Sequence, residues 1–179
     1  MATTTLVKPR VANFEQPQGK ALAAGEGLRL RSGPGRDLIF KVTGDDTGGA
    51  FDYFIVEVAP RGGPPLHVHH KQEETIHVLK GNFKIRIGEQ DFYCKEDGFA
   101  YLPAGIPHAF LNLTDEPGEV VVVYVPGGGH RFYEELGPLA RSGSPDRKAI
   151  AQLFEKYDMT LLGAPLNPEF HSTSRELTP

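Results

Sequence analysis

Short segments rich in β-branched and aromatic residues follow one another from about Gly27 to Val125, and Gly, Pro, Asp or Asn separate them. This rhythm is typical of an all-β sandwich or barrel. Ten segments are candidate strands: LRLR, DLIFKVT, AFDYFIVEV, PLHVHH, ETIHVLK, NFKIRI, QDFYC, GFAYL, HAFLNL and EVVVVYV. They are enough to close a barrel, so the pattern predicts an all-β fold.

Turn residues indicate how these strands connect. The pair Gly81-Asn82 between HVLK and FKIRI suits a tight hairpin that needs positive φ, and IGEQDF predicts another turn shortly afterwards. The middle of the chain therefore reads as an antiparallel meander.

The pattern changes after Pro126. The stretch GGGHRFYEELGP predicts a flexible loop and one short helical turn that Gly137 and Pro138 stop. A longer helix is expected in SGSPDRKAIAQLFEKYDM, with Ser144 as its cap and Pro145 in its first turn. Its apolar face is expected to pack against the outside of the barrel.

A chain of 179 residues with 39% hydrophobic residues is long enough for one domain with a substantial core. We divide it into an N-terminal extension (1–26), a β-barrel (27–126), and a C-terminal loop, helix and tail (127–179). The sequence contains no internal repeat.

Charge and composition narrow the function classes. The formal net charge is -4 and no basic tract occurs, which argues against nucleic acid or an anionic membrane as a partner. No apolar run approaches the roughly 18 residues of a membrane span, and the N-terminus has no apolar core of signal-peptide length. The single cysteine, Cys94, cannot form an intrachain disulfide. We expect a cytoplasmic protein with a small-molecule substrate.

Four of the seven histidines lie in PPLHVHHKQEETIHVLKG, residues 64–81. Side chains two apart on a strand point to the same face, so His67 and His69 can reach one point while His70 faces the other way. Neutral imidazole is a ligand for many divalent transition metals. The spacing therefore predicts part of a metal site.

The next strand offers two glutamates, and its alternation separates them. Glu74 shares a face with Ile76 and Val78, which suits a barrel interior with a ligand at its mouth. Glu73 lies on the opposite face together with His77. We expect Glu74 to be the carboxylate ligand, and Glu73 and His77 to point outward.

A fourth ligand is expected from YLPAGIPHAFLN. A rigid turn of Pro and Gly residues delivers His108 to the start of a strand, with Phe110 and Asn112 on the same face. For His130 and His171, in weakly patterned segments, we expect structural roles.

These residues resemble the two motifs of the cupin superfamily. The first motif is a glycine, five residues, H-x-H, three or four residues, E, six residues and G; it is matched loosely at its start by Gly62 or Gly63, and then by His67, His69, Glu74 and Gly81. The second motif is a glycine, five residues, P-x-G-x-x-H, three residues and N; it is matched by Pro103, Gly105, His108 and Asn112, with Asp97 in place of the leading glycine. The resemblance covers about Ala50 to Val125 and implies a double-stranded β-helix, or jelly-roll barrel, with a short C-terminal helical extension.

One barrel followed by GGGHRFYEELGP and a helix looks like the single-domain bacterial quercetin 2,3-dioxygenase-like cupins. That resemblance implies a divalent metal held by His67, His69, His108 and Glu74. It implies a dioxygenase that cleaves a flavonol-like or other enolisable substrate with O2 and releases carbon monoxide, with Glu74 as general base. Iron, manganese, nickel, cobalt, copper and zinc all remain open as the metal.

The cavity wall should be mostly apolar. We expect Ile76, Val78, Phe110 and Asn112 to line it, with Phe54, Phe92 or Tyr101 as further candidates. Gly127 to Gly129 could let Phe132 and Tyr133 close over the barrel mouth.

Two other functions stay open beside the dioxygenase: a cupin isomerase or epimerase of a sugar or keto compound, and a non-catalytic metal-dependent small-molecule binding protein. VVVVYV is apolar on both faces, which predicts a homodimer unless the C-terminal helix covers the outer face.

Overall fold

The computed structural model describes residues 19–33, 36–141, 146–168 and 175–176. Its strands are β1 (Leu28–Arg31), β2 (Arg36–Val42), β3 (Asp52–Val58), β4 (Pro65–His69), β5 (Glu73–Lys80), β6 (Phe83–Ile87), β7 (Gln90–Cys94), β8 (Phe99–Leu102), β9 (His108–Asn112), β10 (Gly118–Val125), β11 (Met159–Pro165) and β12 (Arg175–Glu176). Its helices are α1 (Gly129–Arg141) and α2 (Arg147–Lys156).

The strands form two six-stranded sheets. The first has the order β1-β2-β3-β10-β5-β8, and the second has the order β11-β4-β9-β6-β7-β12. All pairings are antiparallel except that between β12 and β7. The predicted all-β jelly roll with a short helical extension is confirmed.

The inward faces of both sheets share one core. Strand β3 alternates buried and more exposed residues, as a strand with one covered face should. Phe40 and Phe54 stack at its centre with ring centroids 4.3 Å apart, and Ile76, Val78 and Phe83 are fully buried around them. The aliphatic face predicted for β5 is therefore the core face.

Both predicted hairpin turns are present. Gly81 between β5 and β6 has φ 106°, and Gly88 between β6 and β7 has φ 60°. Asp97, which stands where the second motif has glycine, takes φ 64°. Aspartate tolerates this left-handed conformation better than most residues, so the departure from the motif leaves the turn intact.

Helix α1 is longer than the sequence predicts. We expected one short turn stopped at Gly137 and Pro138, but the helix continues through Pro138 to Arg141. An internal proline removes one helical hydrogen bond, which costs roughly 3 kcal/mol. The buried side chains of Phe132 and Leu136 join a second core that favours the helix on both sides of the proline.

Helix α2 begins two residues later than predicted and packs elsewhere than predicted. Asp146 is its N-cap and accepts from the backbone N–H groups of Lys148 and Ala149; Ser144 and Pro145 lie outside the described residues. Its residues Ile150 and Phe154 face the cavity instead of the outer wall of the barrel. The expectation of outside packing is therefore wrong.

The segment after α2 forms a strand that the sequence pattern did not predict. Strand β11 pairs with β4, so that Met159 lies opposite His69 and Leu161 opposite His67. An unpaired edge beside the metal ligands is thereby covered. Within the described residues, no helix is long and apolar enough to cross a membrane.

Candidate metal centre and substrate cavity

Four predicted ligands meet at one point in the barrel. His67, His69, Glu74 and His108 each offer a ligand atom, and these atoms all lie within 4.8 Å of one another. All four residues are buried, with exposed fractions between 1% and 8%. Strand geometry has brought together residues up to 41 positions apart, as His67 and His108 show.

Both sheets contribute to this cluster. His67 and His69 lie two residues apart on β4, and His108, the first residue of β9, is paired with His67 across the second sheet. Glu74 comes from β5 in the first sheet, where it lies opposite Tyr124. The three imidazoles therefore face the carboxylate across the sandwich.

The three rings are held in one tautomer. The Nδ1 atoms of His67 and His108 lie 2.8 and 2.9 Å from the backbone oxygens of Pro65 and Ile106, which can only accept. The Nδ1 atom of His69 lies 2.9 Å from the Gln72 Oε1. With each Nδ1 donating its proton, a neutral ring keeps an Nε2 lone pair that is free to bind a metal.

These lone pairs fit a cation. The Nε2 atoms of His67 and His69 are 3.1 Å apart, and two unprotonated nitrogens at that distance repel unless a positive charge lies between them. The His108 Nε2 and Glu74 Oε2 are fully buried and lack hydrogen bonds within the described residues. An ion with bonds of about 2.1 Å spans donor atoms up to about 4.2 Å apart, so the observed spread needs only small adjustments. The residues present therefore fit a divalent metal ion.

Protonation of the rings is set by burial and by Glu74. Burial, with the neighbouring histidine charges, lowers the pKa of His67 well below its usual value. Burial also lowers the pKa of His69, to about 4, although the Glu74 carboxylate acts against it. For His108 burial acts in the same direction, but Glu74, whose Oε2 lies 3.2 Å from Nε2, outweighs it and raises the pKa. Two of the three ligands are thus neutral well into acidic solution.

A cavity of about 370 Å³ opens beside the cluster. Its barrel wall includes Phe54, Phe110 and Val122, and its cover includes Phe132 and Phe154 from the two helices. Helix α1 contacts β1, helix α2 contacts β11, and the helices contact each other, so they bridge one edge of each sheet. The helices therefore close the open side of the sandwich over the metal cluster.

A buried carboxylate fixes the start of this cover. Asp52 accepts hydrogen bonds from the backbone N–H groups of Gly44, Gly128 and Gly129 at 2.6 to 2.8 Å. A Cβ at Gly129 would lie 2.5 Å from the Tyr124 ring, so only glycine lets α1 approach so closely. His130, predicted to be structural, is buried beside Asp52, and His171 lies outside the described residues.

Some of the predicted lining residues line the cavity, and others lie in the core behind it. Phe110 lines the cavity, and so does the further candidate Phe54. Ile76 and Val78 lie behind the wall in the core. Asn112 is fully buried, and its amide donates to backbone oxygens, including that of Glu116 at 2.8 Å, so its side chain secures a turn.

The residues predicted to face outward do so. Glu73, His70 and His77 are exposed, and His70 bonds the Thr160 hydroxyl at 2.8 Å. Of the remaining wall candidates, Tyr101 is 46% exposed and Phe92 is half-buried outside the cavity lining.

Sequence reasoning expected Phe132 and Tyr133 at the barrel mouth, where both line the cavity, but it missed three polar residues of the site: Tyr124, Arg36 and Gln72. Tyr124 and Tyr133 line the cavity, and their hydroxyl oxygens are 2.9 Å apart. Arg36 also lines it, and Gln72 holds His69 while donating to the backbone oxygen of Pro126 at 2.7 Å. Gln72 is the one of these residues that the sequence could have indicated, because it lies between the histidine ligands and Glu74.

Burial and the nearby Glu74 carboxylate raise the pKa of both tyrosines, that of Tyr133 to about 12 and that of Tyr124 well above its ordinary value. Both hydroxyls are therefore protonated at neutral pH. Of the two hydroxyl protons, one forms the bond between the tyrosines, and the other can be donated to a ligand in the cavity.

Comparisons with known proteins agree with this architecture. Residues 54–124 match the cupin domain family. Over 60 residues the chain is 38% identical to the probable oxidoreductase virH of Hypocrea virens, a stretch that covers 33% of this chain and 27% of the relative. The chain spans 27% and 57% of the lengths of the two curated relatives that it matches.

Two solved structures show the same fold at low identity. A sugar phosphate isomerase from a cupin superfamily, from Silicibacter pomeroyi, superimposes with a TM-score of 0.52 at 23% identity and covers 59% of this chain and 75% of that one. The polyketide cyclase RemF from Streptomyces resistomycificus superimposes with a TM-score of 0.52 at 19% identity and covers 60% and 80%. These two matches show the fold, and the match of residues 54–124 to the cupin domain family supports the cupin superfamily. The His3Glu cluster is compatible with a metal ion.

Proposed function

We propose that the protein is a metal-dependent dioxygenase that cleaves a flavonol-like or other enolisable small molecule with O2. The observation that carries this proposal is the convergence of three Nε2 lone pairs and one buried carboxylate on a single point beside a largely apolar cavity. A divalent ion held there supplies a Lewis acid that favours the ionised form of an enol.

The residues around the cluster suit an anionic oxygen ligand. Three neutral imidazoles and one carboxylate leave a divalent centre with a net charge of +1. Glu74 is the only carboxylate among the described cavity-lining residues, and it is the group that would take the enol proton. The protonated Tyr124–Tyr133 pair can donate a hydrogen bond to a substrate oxygen.

The cavity size suits a compact flat substrate. Its volume of about 370 Å³ lies near the lower end of the range for small-molecule sites, roughly 300–1,000 Å³. Aromatic side chains on both the wall and the cover, such as Phe54 and Phe132, can contact the faces or edges of a ring. Closure by the helices would exclude bulk water from the reaction.

In the proposed flavonol reaction two carbon–carbon bonds of the substrate break and the excised carbon leaves as carbon monoxide. Both atoms of O2 enter the organic product, so the substrate supplies the electrons and no external reductant is needed. The name of the Hypocrea virens relative, a probable oxidoreductase, supports redox chemistry over the shared segment.

An isomerase or epimerase of a sugar or keto compound is the second candidate. The observation that favours it is the pair of protonated tyrosines beside Glu74, because a carboxylate and a hydroxyl across one cavity can move a proton between two carbon atoms. The two solved structures that share the fold are named as a sugar phosphate isomerase and a polyketide cyclase.

Oxygen uptake separates these candidates. The protein is reconstituted with each candidate metal in turn and mixed with quercetin or simple 1,3-diketones under an oxygen electrode. We expect uptake that requires both metal and substrate and that disappears in Glu74→Gln. If metal-loaded protein consumes no oxygen but exchanges substrate protons with D2O faster than buffer alone does, the isomerase is favoured. If it binds these compounds without either reaction, it is a binding protein.

A further inference from the structure

Arg36 is a charged residue that the metal chemistry leaves unexplained. It lies at the start of β2, and its side chain lines the cavity. The Nε atom donates to the Ser32 hydroxyl at 2.6 Å, and Nη2 donates to the Ser32 backbone oxygen at 3.2 Å. Both acceptors are neutral, and no carboxylate of the described residues pairs with this guanidinium.

The guanidinium faces the same cavity as the metal cluster. Burial lowers the pKa of Arg36 below its ordinary value. Its charge acts on groups near the cluster: it opposes the burial that raises the pKa of Tyr133 and adds to the burial that lowers the pKa of His67. Arg36 and three of the four ligands, His67, His69 and Glu74, therefore line one cavity.

Ser32 holds the Arg36 side chain in place, but most of the guanidinium N–H donors have no acceptor among the described residues. A guanidinium has five N–H donors, and the two hydrogen bonds to Ser32 leave three of them. Arg36 is half-buried, and a cation that lines a cavity without an anionic partner favours the binding of an anion from outside the chain. A planar fork of donors matches the two oxygens of a carboxylate.

The charge inside the cavity selects between two kinds of anion. A phosphate monoester carries a charge of about -1.5 to -2 near neutral pH and would need a second cation. Arg36 is the only Lys or Arg among the described lining residues, so no second cation is present there. A carboxylate carries a single negative charge, which one guanidinium can balance. One guanidinium in an apolar cavity therefore favours a carboxylate.

We propose that Arg36 binds a carboxylate on the substrate, separate from the group that binds the metal, so that the substrate is an enolisable carboxylic acid. Only the orientation of the substrate rests on the proposed function; the carboxylate site itself does not. Ser32 is then a positioning residue that holds the guanidinium fork toward the cavity.

Calorimetry with matched probes tests this proposal without any turnover. The protein is loaded with Zn²⁺ under anaerobic conditions and titrated with 1-phenylbutane-1,3-dione, with its 4-carboxyphenyl analogue and with its 4-(phosphonooxy)phenyl analogue. We expect the carboxylate probe to bind at least tenfold more tightly than the neutral probe, and the phosphate probe to bind more weakly than the carboxylate. Arg36→Gln should abolish the carboxylate preference without changing the affinity for the neutral probe.

Two further variants keep the result interpretable. Arg31→Gln removes the same charge from an exposed surface pair with Asp37 and should leave the preference unchanged. Ser32→Ala should reduce the preference about threefold by loosening Arg36, and it carries the test if Arg36→Gln does not fold. Equal affinity of the wild-type protein for the carboxylate and neutral probes would overturn the carboxylate site, and tighter binding of the phosphate probe would overturn the choice of anion.

The outcome is separable from that of the oxygen experiment. A retained carboxylate preference without oxygen uptake under any metal defeats the dioxygenase and leaves the Arg36 site standing. Oxygen uptake with a neutral diketone, together with no carboxylate preference, supports the dioxygenase and defeats the Arg36 site.

Discussion

The barrel wall that carries the metal ligands and the helical cover that faces it are stabilised by different interactions. Strand β4 is paired on both sides, with β11 and β9, and β5 is paired with β10 and β8. The cover rests on side-chain packing, on the Asp52 hydrogen bonds and on the Tyr124–Tyr133 contact. Backbone ladders thus fix the ligands, while the side chains of the cover can vary with the substrate without moving the metal site.

The largest effect should follow a change at the wall. Glu74→Ala removes the only carboxylate of the cluster and should weaken metal binding by about 100-fold or more, because it removes a direct ligand and even the residues that support ligands contribute about 10–100-fold. Metal content after dialysis, measured by mass spectrometry of the elements, checks this.

Glu73→Ala is the matched control, because Glu73 is adjacent in sequence but exposed on the opposite face. It should retain metal at the wild-type level. Metal loss in Glu73→Ala with full retention in Glu74→Ala would show that the wrong carboxylate has been assigned.

The attachment of the cover should give the next largest effect. Asp52→Ala leaves three backbone N–H groups without their acceptor and should lower the free energy of unfolding by about 3 kcal/mol. Asp45→Ala, which removes an exposed partner of Arg131, should cost less than about 1 kcal/mol. Urea denaturation measures both, and equal losses would show that Asp52 does not fix the helix.

A smaller effect should appear at high pH. An unfolded tyrosine ionises near pH 10, whereas burial raises the pKa of Tyr133 to about 12. The folded chain holds a proton in this interval that the unfolded chain releases, so stability that is fully present below pH 10 is lost as the pH rises through about 12.

Tyr133→Phe removes this contribution and should reduce the loss of stability between pH 10 and pH 12 by about 2 kcal/mol. Tyr53→Phe, on the exposed side of β3, should leave the decline unchanged. The measurement is chemical denaturation at several pH values, and identical curves for wild type and Tyr133→Phe would contradict the burial of this hydroxyl.

The outer side of the wall should matter least to the site. Exposed apolar residues lie on the outer faces of β3, β5 and β8 in the first sheet: Tyr53, Leu79, Phe99 and Tyr101. The helices that were an alternative cover for this face lie over the cavity instead. We therefore propose a homodimer through this face.

Light scattering should give twice the mass of the chain for the wild-type protein. It should give the mass of one chain for a variant with Phe99→Asp and Tyr101→Asp, with metal content unchanged. A single-chain mass for the wild-type protein would defeat the dimer.

Much of the wall could be predicted because its information is local. Alternation along β5 separates Glu74 from Glu73, and the two-residue spacing of His67 and His69 follows from strand geometry alone. The turn of Pro and Gly residues just before His108 likewise indicated this ligand from its local sequence. In each case the residues that decide the outcome lie within a few positions of one another.

The sequence indicated that Phe132 and Tyr133 could cover the barrel mouth, but the extent of α1, strand β11 and the presence of Arg36 in the cavity could not be predicted, because contacts between distant segments decide them. Helix α1 runs through Pro138 because its side chains join a second core with α2 and β11, and β11 forms because β4 offers it an unpaired edge. Tyr133 meets Tyr124, and Arg36 enters the cavity, only when the sheets and helices have packed together. The sequence by itself determined the first ten strands and the metal ligands through short-range periodicity. Only the tertiary structure decided which polar groups share the cavity with these ligands, since no periodicity encodes which distant segments come into contact.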